Sequence, residues 1–206
     1  SANPYRKPNT AKTWEDVNPA LPAVAISVFG PPSTSGTYDS FKELLLMAGC
    51  DKDPAMKALK KSDEAKHQQI CGTFRPAPFY VEQGENDNLI ISKLTTNPTS
   101  IGAFGFSYLD GNRDKIRGLT IDGVEPSMET ITAEKYPGSR AMYIYIKKAH
   151  LGAVPGLMEY AAEFAKGSAS GGYLAAKGLI PPHKAMEATV AATIKSSAVM
   201  NGAELK

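Results

Sequence analysis

Apolar and polar positions divide the chain into short segments of differing period. Before residue 24 no period is sustained, and prolines at 4, 8, 19 and 22 punctuate the run, which predicts an extended segment on the surface. Val24 to Phe29 is a short apolar run with β-branched residues, bounded by Pro22 and by Gly30-Pro31-Pro32, and predicts a buried strand. From Thr37 the apolar positions Tyr38, Phe41, Leu45 and Ala48 recur at helical spacing, the stripe of an amphipathic helix. The unit reads as strand, Gly/Pro/Ser/Thr loop, helix.

Residues Asp53 to Ile70 are rich in Lys, Ala and Glu, with Met56 and Leu59 as the main apolar positions, and predict one solvated helix. Phe74 to Val81 is aromatic and broken by prolines. Glu85 to Leu94 predicts a helix with Leu89, Ile90 and Leu94 inward. Ile101 to Tyr108 carries Gly102 and Gly105 among aromatics, a pattern for a strand with other groups packed close against it. Arg117 to Ile121 reads as a further strand, Asp122-Gly123 as a turn, and Ser127 as the cap of a short helix through Glu129-Thr130. Arg140 to Lys147 alternates as a strand does, and Pro155 to Lys166 predicts a helix with a broad buried face. Strands alternating with helices place the chain in the α/β class.

Composition narrows the functional classes. With 42% apolar residues the chain is not a disordered one, and 23 basic against 21 acidic side chains, scattered along it, form no stripe suited to a polyanion, so nucleic acid is not an expected partner. The longest apolar stretches, such as Leu21 to Phe29, fall under half of the roughly 20 residues that cross a bilayer, so no membrane insertion is expected. The first residues show no charged start followed by an apolar core, so no signal peptide is expected within this sequence. Cys50 and Cys71 stand 21 apart in sequence, a spacing that fits either a disulfide or two buried thiols. With no Cys-x-x-Cys pair and no clustered histidine, neither a metal site nor a cofactor is expected, and His67, His150 and His183 read as surface residues.

The segment that can carry chemistry is FGPPSTSGTYDSF, Phe29 to Phe41. The first N–H groups of a helix lack internal partners and carry partial positive charge, so they and the hydroxyls of Ser33, Thr34, Ser35 and Thr37 suit a tetrahedral oxyanion. Gly36 permits close approach to the backbone. The plainer reading is an ordinary N-cap on an empty loop. A P-loop is excluded because Gly36 is followed by Thr37 and not by Lys-Ser/Thr, and Ser35 lacks the Gly-x-Ser-x-Gly frame of a nucleophile elbow. An enzyme using Ser35 as nucleophile would need a base near its hydroxyl.

These residues carry a family resemblance. GPPSTSGTYDSF resembles the phosphate-contacting loop of periplasmic phosphate-binding proteins of high-affinity phosphate ABC transporters, in the type II periplasmic binding protein superfamily. TWEDVNPALP at 13–22, CGTFRPAPFYVEQGENDNLI at 71–90, IGAFGFSYLDGNRDKIRGLTIDGVEPSMETI at 101–131 and YPGSRAMYIYIKKAH at 136–150 are similar to further parts of the same family, so the likeness covers nearly the whole chain. It implies an α/β fold, a type II lobe with a mixed sheet flanked by helices, followed by the C-terminal strand and helices of the partner lobe. The implied divisions are a leading crossover segment at 1–23, a contiguous lobe at 24–138 carrying the anion loop, and a return strand with helices at 139–206.

The resemblance further implies that Ser35, Gly36 and Thr37 hold phosphate oxygens, with Thr34 beside them and Arg75 as a guanidinium able to grip a phosphate edge. Glu85, Asn86, Asp87 and Asn88 match an acidic motif that fits ligand contact or a helix cap, and Arg140 the crossover between lobes. It implies a Cys50–Cys71 disulfide, a periplasmic location, a permease partner in the membrane, and binding of phosphate without catalysis. Relative to the two-lobed family the chain looks like a C-terminal portion, for which weakened phosphate binding, poor selectivity and self-association are expectations. The alternatives left open are a serine-nucleophile phosphoryl- or acyl-transfer enzyme and an interaction module with an empty loop.

Overall fold

The computed structural model describes residues 9–201; residues 1–8, with Pro4 and Pro8 of the leading segment, and residues 202–206 lie outside the described residues. The chain forms two compact units, Ser1–Gly123 and Val124–Lys206.

The first unit is built on a small parallel sheet. Strand β1 (Val28–Gly30) lies between β2 (Tyr80–Glu82) and β3 (Ile101–Gly102), with Val28 opposite Tyr80 on one side and Ile101 on the other. The three named strands pair only in parallel, and the antiparallel component of the expected mixed sheet is a single bridge, Thr13 to Ala25. That bridge also explains why the strand expected at 24–29 starts at Val28. Trp14 N–H donates to the Val24 carbonyl at 3.0 Å and Ile26 N–H to that of Lys12 at 2.9 Å, so residues 24–26 are engaged by the leading segment. Within that segment a short helix, α1 (Trp14–Val17), interrupts the expected extended run. Its Thr13–Asp16 capping box satisfies donors of the first turn and of the cap itself.

Beyond β1 the chain is continuously helical: α2 (Gly36–Phe41), a π-helical stretch Lys42–Met47, and α3 (Ala48–Cys50). Residues 53–70 are not one solvated helix but two, α4 (Pro54–Ser62) and α5 (Glu64–Cys71). Asp63 separates them because its side chain accepts from Lys66 N–H at 3.0 Å and starts a new helix. Their inner faces join Met47 and Cys50 in a small core with Met56, Leu59 and Cys71. His67, expected at the surface, is 0% exposed, because α5 turns it into this core. His150 and His183 are exposed as expected.

Helix α6 (Asp87–Thr96) packs against β1 and β3 with Ile90 and Ile91 buried. A side chain at Gly102 would stand 2.7 Å from Leu94 and 3.0 Å from Ile90, the close approach its sequence setting implied. The strand expected over 101–108 nevertheless ends at Gly102. Gly105 N–H is taken by Asp87 Oδ2 at 3.0 Å, and the chain enters α7 (Phe106–Asp110), which buries Leu109. Residues 117–121 form no named strand, since no strand lies alongside them among the described residues.

In the second unit, Ser127 and Thr130 form the capping box of α8 (Met128–Thr132), as predicted. The helix expected at 155–166 is α9 (Leu157–Ser168), which packs on α10 (Lys184–Ser196). Glu187 of α10 accepts from both the hydroxyl and the N–H of Ser170 at 2.7 Å, and these bonds hold its carboxyl below the usual range. Arg140 to Lys147 does not form a strand: Met142 is 75% and Tyr145 66% exposed. An alternating sequence becomes a strand only when a neighbour takes its backbone hydrogen bonds, and among the described residues this unit has no sheet to join.

Candidate anion-binding site

All three strands run the same way, so the loops that follow them leave one edge of the sheet: 31–35 after β1, 83–86 after β2 and 103–105 after β3. Each loop leads into the N-terminus of a helix, α2, α6 and α7 respectively. The order β2-β1-β3 reverses at β1, the kind of switch point outside the carboxyl ends of strands where α/β proteins place ligands.

Local packing fixes the central loop at its root. Pro31 is buried, and its carbonyl accepts from the Tyr80 hydroxyl at 2.8 Å. Gly30 leaves room for that tyrosine, since a Cβ there would lie 2.6 Å from its ring. Burial, reinforced by Tyr38 and Glu82, raises the Tyr80 hydroxyl well above its ordinary pKa and keeps it a donor. Gln83 N–H donates to the Gly30 carbonyl at 2.7 Å and Ala103 N–H to that of Phe29 at 2.9 Å, so the roots of the three loops are tied together.

Ser35 is the N-cap of α2. Its N–H donates to the Pro32 carbonyl at 2.9 Å and its Oγ accepts from Thr37 N–H at 3.2 Å. Thr34 and Gly36 are exposed, Ser35 and Thr37 half-buried. The Thr34 hydroxyl donates to Glu85 Oε1 at 2.6 Å, which links the β1 and β2 loops. Asn86 caps α6 by accepting from Asn88 N–H at 3.0 Å, and Asp87 reaches the third loop through Gly105. The acidic motif thus has caps and inter-loop ties as its structural roles. No His, Lys or carboxylate hydrogen-bonds the Ser35 hydroxyl among the described residues.

Arg75 stands differently from the others. Its Nη1 donates to the Ala11 carbonyl at 2.6 Å, and the guanidinium lies over the Phe79 ring at 3.3 Å from the centroid. Its neighbour Phe74 packs on Tyr38, one residue past Thr37, with ring centroids 4.6 Å apart. The backbone at Arg75 is therefore moored to the first turn of α2, while the guanidinium is engaged with the leading segment. Sequence reasoning missed Tyr80 as the root of the loop and the N-terminus of α7 as a third arm. An aromatic in a proline-broken run gave no hint of a buried hydroxyl, and the aromatics of 101–108 masked the helix start.

Cys50 and Cys71 form a disulfide, Cα atoms 5.6 Å apart, joining the ends of α3 and α5. Among the described residues no helix is long and apolar enough to cross a membrane.

The PBP superfamily domain matches residues 7–168. Among curated proteins, the phosphate-binding protein PstS of Staphylococcus haemolyticus (strain JCSC1435) is 31% identical over 146 residues, 68% of this chain and 37% of its own length. PstS of Staphylococcus aureus (strain MRSA252) is 28% identical over 175 residues, 81% of this chain and 45% of its own. The chain therefore spans well under two thirds of these relatives. Among solved structures, that of a possible phosphate binding protein from Planctomyces limnophilus DSM 3776 matches with a TM-score of 0.59 at 22% identity, covering 92% of this chain and 60% of that one, a likeness of fold. Matched over most of its length, the chain belongs to the PBP superfamily domain family.

Proposed function

We propose that the chain is a solute-binding component of a phosphate ABC importer, which binds inorganic phosphate outside the cytoplasm and presents it to a membrane permease without catalysing a reaction. The observation that carries this reading is the convergence of three helix N-termini on one sheet edge, with Ser35-Gly36-Thr37 at the end of the central strand. Aligned peptide dipoles and hydroxyl donors at such an edge favour a small multiply charged anion over a neutral solute. The curated relatives bear the name phosphate-binding protein, which supports phosphate as that anion.

In this reading Ser35, Gly36 and Thr37 hold phosphate oxygens and Thr34 supplies a further hydroxyl. Arg75 closes the socket by leaving the Ala11 carbonyl, its backbone already moored beside α2 through Phe74. The anion-carrying part of the implied 24–138 lobe is the stretch up to Gly123, and residues 139–206 belong to a second lobe. The chain spans 37% of the first relative's length, and in this reading it binds phosphate weakly on its own. Ser35 serves as a cap and a ligand donor and not as a nucleophile, a reading supported by the Thr37 N–H on its oxygen and by the lack of any hydrogen bond from it to a His, Lys or carboxylate among the described residues.

Isothermal titration with phosphate and with sulfate tests the reading. Saturable phosphate binding that Ser35→Ala weakens supports it. A chain that binds neither anion at millimolar concentration contradicts it, and micromolar phosphate binding with sulfate rejected would overturn the weakened-clamp component.

A further inference from the structure

His67 is fully buried on α5, one helical turn before Cys71. Its Nε2 lies 2.7 Å from Asp51 Oδ1, and the other Asp51 oxygen takes Lys60 Nζ at 3.1 Å. A neutral His67 that donates Nε2–H to this carboxylate presents a lone pair at Nδ1. That Nδ1 is buried and has no hydrogen-bond partner. A buried acceptor without a donor is destabilising and calls for a physical reason.

The neighbouring sulfurs supply one. A ring nitrogen of His67 and the sulfurs of Cys50 and Cys71 all lie within 4.8 Å of one another, and all three residues are buried. Ligand atoms around one zinc ion stand no more than about 4.6 Å apart, so small side-chain movements would close the set. A carboxylate on the far nitrogen of a histidine fixes its tautomer and raises its basicity as a metal ligand. We propose that when the Cys50–Cys71 bond is reduced, the two sulfurs and His67 Nδ1 form a site for a thiophilic ion such as Zn²⁺, with Asp51 as positioning residue. Thiolates and imidazole are the donor set such an ion prefers, and they fill three of its four tetrahedral positions.

In the reduction a dithiol passes two electrons and two protons to the disulfide and leaves as a cyclic disulfide, giving two thiols. Metal binding then expels both thiol protons to solvent as the sulfurs coordinate as thiolates. Cysteine spacing alone hid the site, because His67 joins the pair only through the turn of α5.

The test reduces the whole chain anaerobically with a dithiol, removes the reductant, and titrates the protein with Zn²⁺ against a chromogenic chelator, beside the oxidised protein. One tightly held Zn²⁺ per reduced chain and none per oxidised chain is the expected result. Asp51→Asn should weaken the site by about 10–100-fold, and Cys50→Ala with Cys71→Ala should abolish it. If His67→Gln does not fold, Co²⁺ added to the reduced wild type decides: thiolate-to-metal charge-transfer absorption supports the site and its absence overturns it. Equal zinc uptake by reduced and oxidised protein, or a reduced chain that unfolds and is not restored by Zn²⁺, overturns it as well.

Discussion

The Thr34 hydroxyl donates to the Glu85 carboxylate at 2.6 Å, across the gap between the loops that follow the first two strands. An exposed bond of this kind contributes little to stability, but it draws the two loops together beside Ser35 and sets where a negatively charged side chain stands relative to an incoming anion. Thr34→Val should therefore leave chemical unfolding within about 1 kcal/mol of wild type while weakening phosphate binding several-fold. A phosphate affinity unchanged by the substitution would place Thr34 outside the site.

Ser35 is asked to do two things, and charge separates them. Ser35→Ala should cost about 1 kcal/mol by removing the N-cap and should also weaken phosphate binding. Ser35→Asp keeps a good cap and adds a negative charge at the socket, so it should retain the stability of wild type while abolishing phosphate binding. If Ser35→Asp binds phosphate as well as wild type, the loop is a cap and nothing more.

Arg75 has a measurable choice between two roles. As an anion ligand it should, when changed to Ala, reduce phosphate affinity by about tenfold or more with a modest effect on stability. As a strut between Phe79 and the Ala11 carbonyl it should do the reverse. Parallel calorimetry and thermal unfolding of Arg75→Ala distinguish the two, and a guanidinium that closes on phosphate gives the first pattern.

The pinned loop root also has a pH signature. The Tyr80 hydroxyl is raised by burial and by Tyr38 and Glu82. A raised folded-state pKa on an acid favours the protonated folded form, so its stabilisation is complete below the unfolded value near 10 and is lost as pH rises from there towards the folded value. Tyr80→Phe should lower stability at neutral pH by about 1–3 kcal/mol, since it strands the buried Pro31 carbonyl, and should flatten the alkaline loss. An unchanged alkaline limb would show that Tyr80 is not the group responsible.

Much of the first unit was legible in the order of residues. Gly30-Pro31-Pro32 stops a strand, Ser35 caps a helix and the spacing from Tyr38 to Ala48 sustains it, because each of these depends on chemistry within a few residues. What sequence did not yield depended on distant partners. Val24 to Ala25 looked like strand interior until the leading segment paired with it, and Asp63 looked like one more polar residue in a long helix until it capped the next. Arg140 to Lys147 alternates as a strand does, yet alternation cannot supply the neighbour that a strand requires. His67 sits in a run of Glu, Lys and Gln, and only the packing of α5 on Met47 and Met56 turns it inward.

The central claim is that an anion is held where the loop after β1 meets the first turn of α2. An amide-resolved NMR titration of the ¹⁵N-labelled chain with inorganic phosphate tests it most directly. The predicted result is a set of saturable shifts centred on the amides of Ser35, Gly36 and Thr37, absent in Ser35→Asp. Shifts that centre elsewhere, or amides in this loop that stay unmoved while phosphate binds, would contradict it.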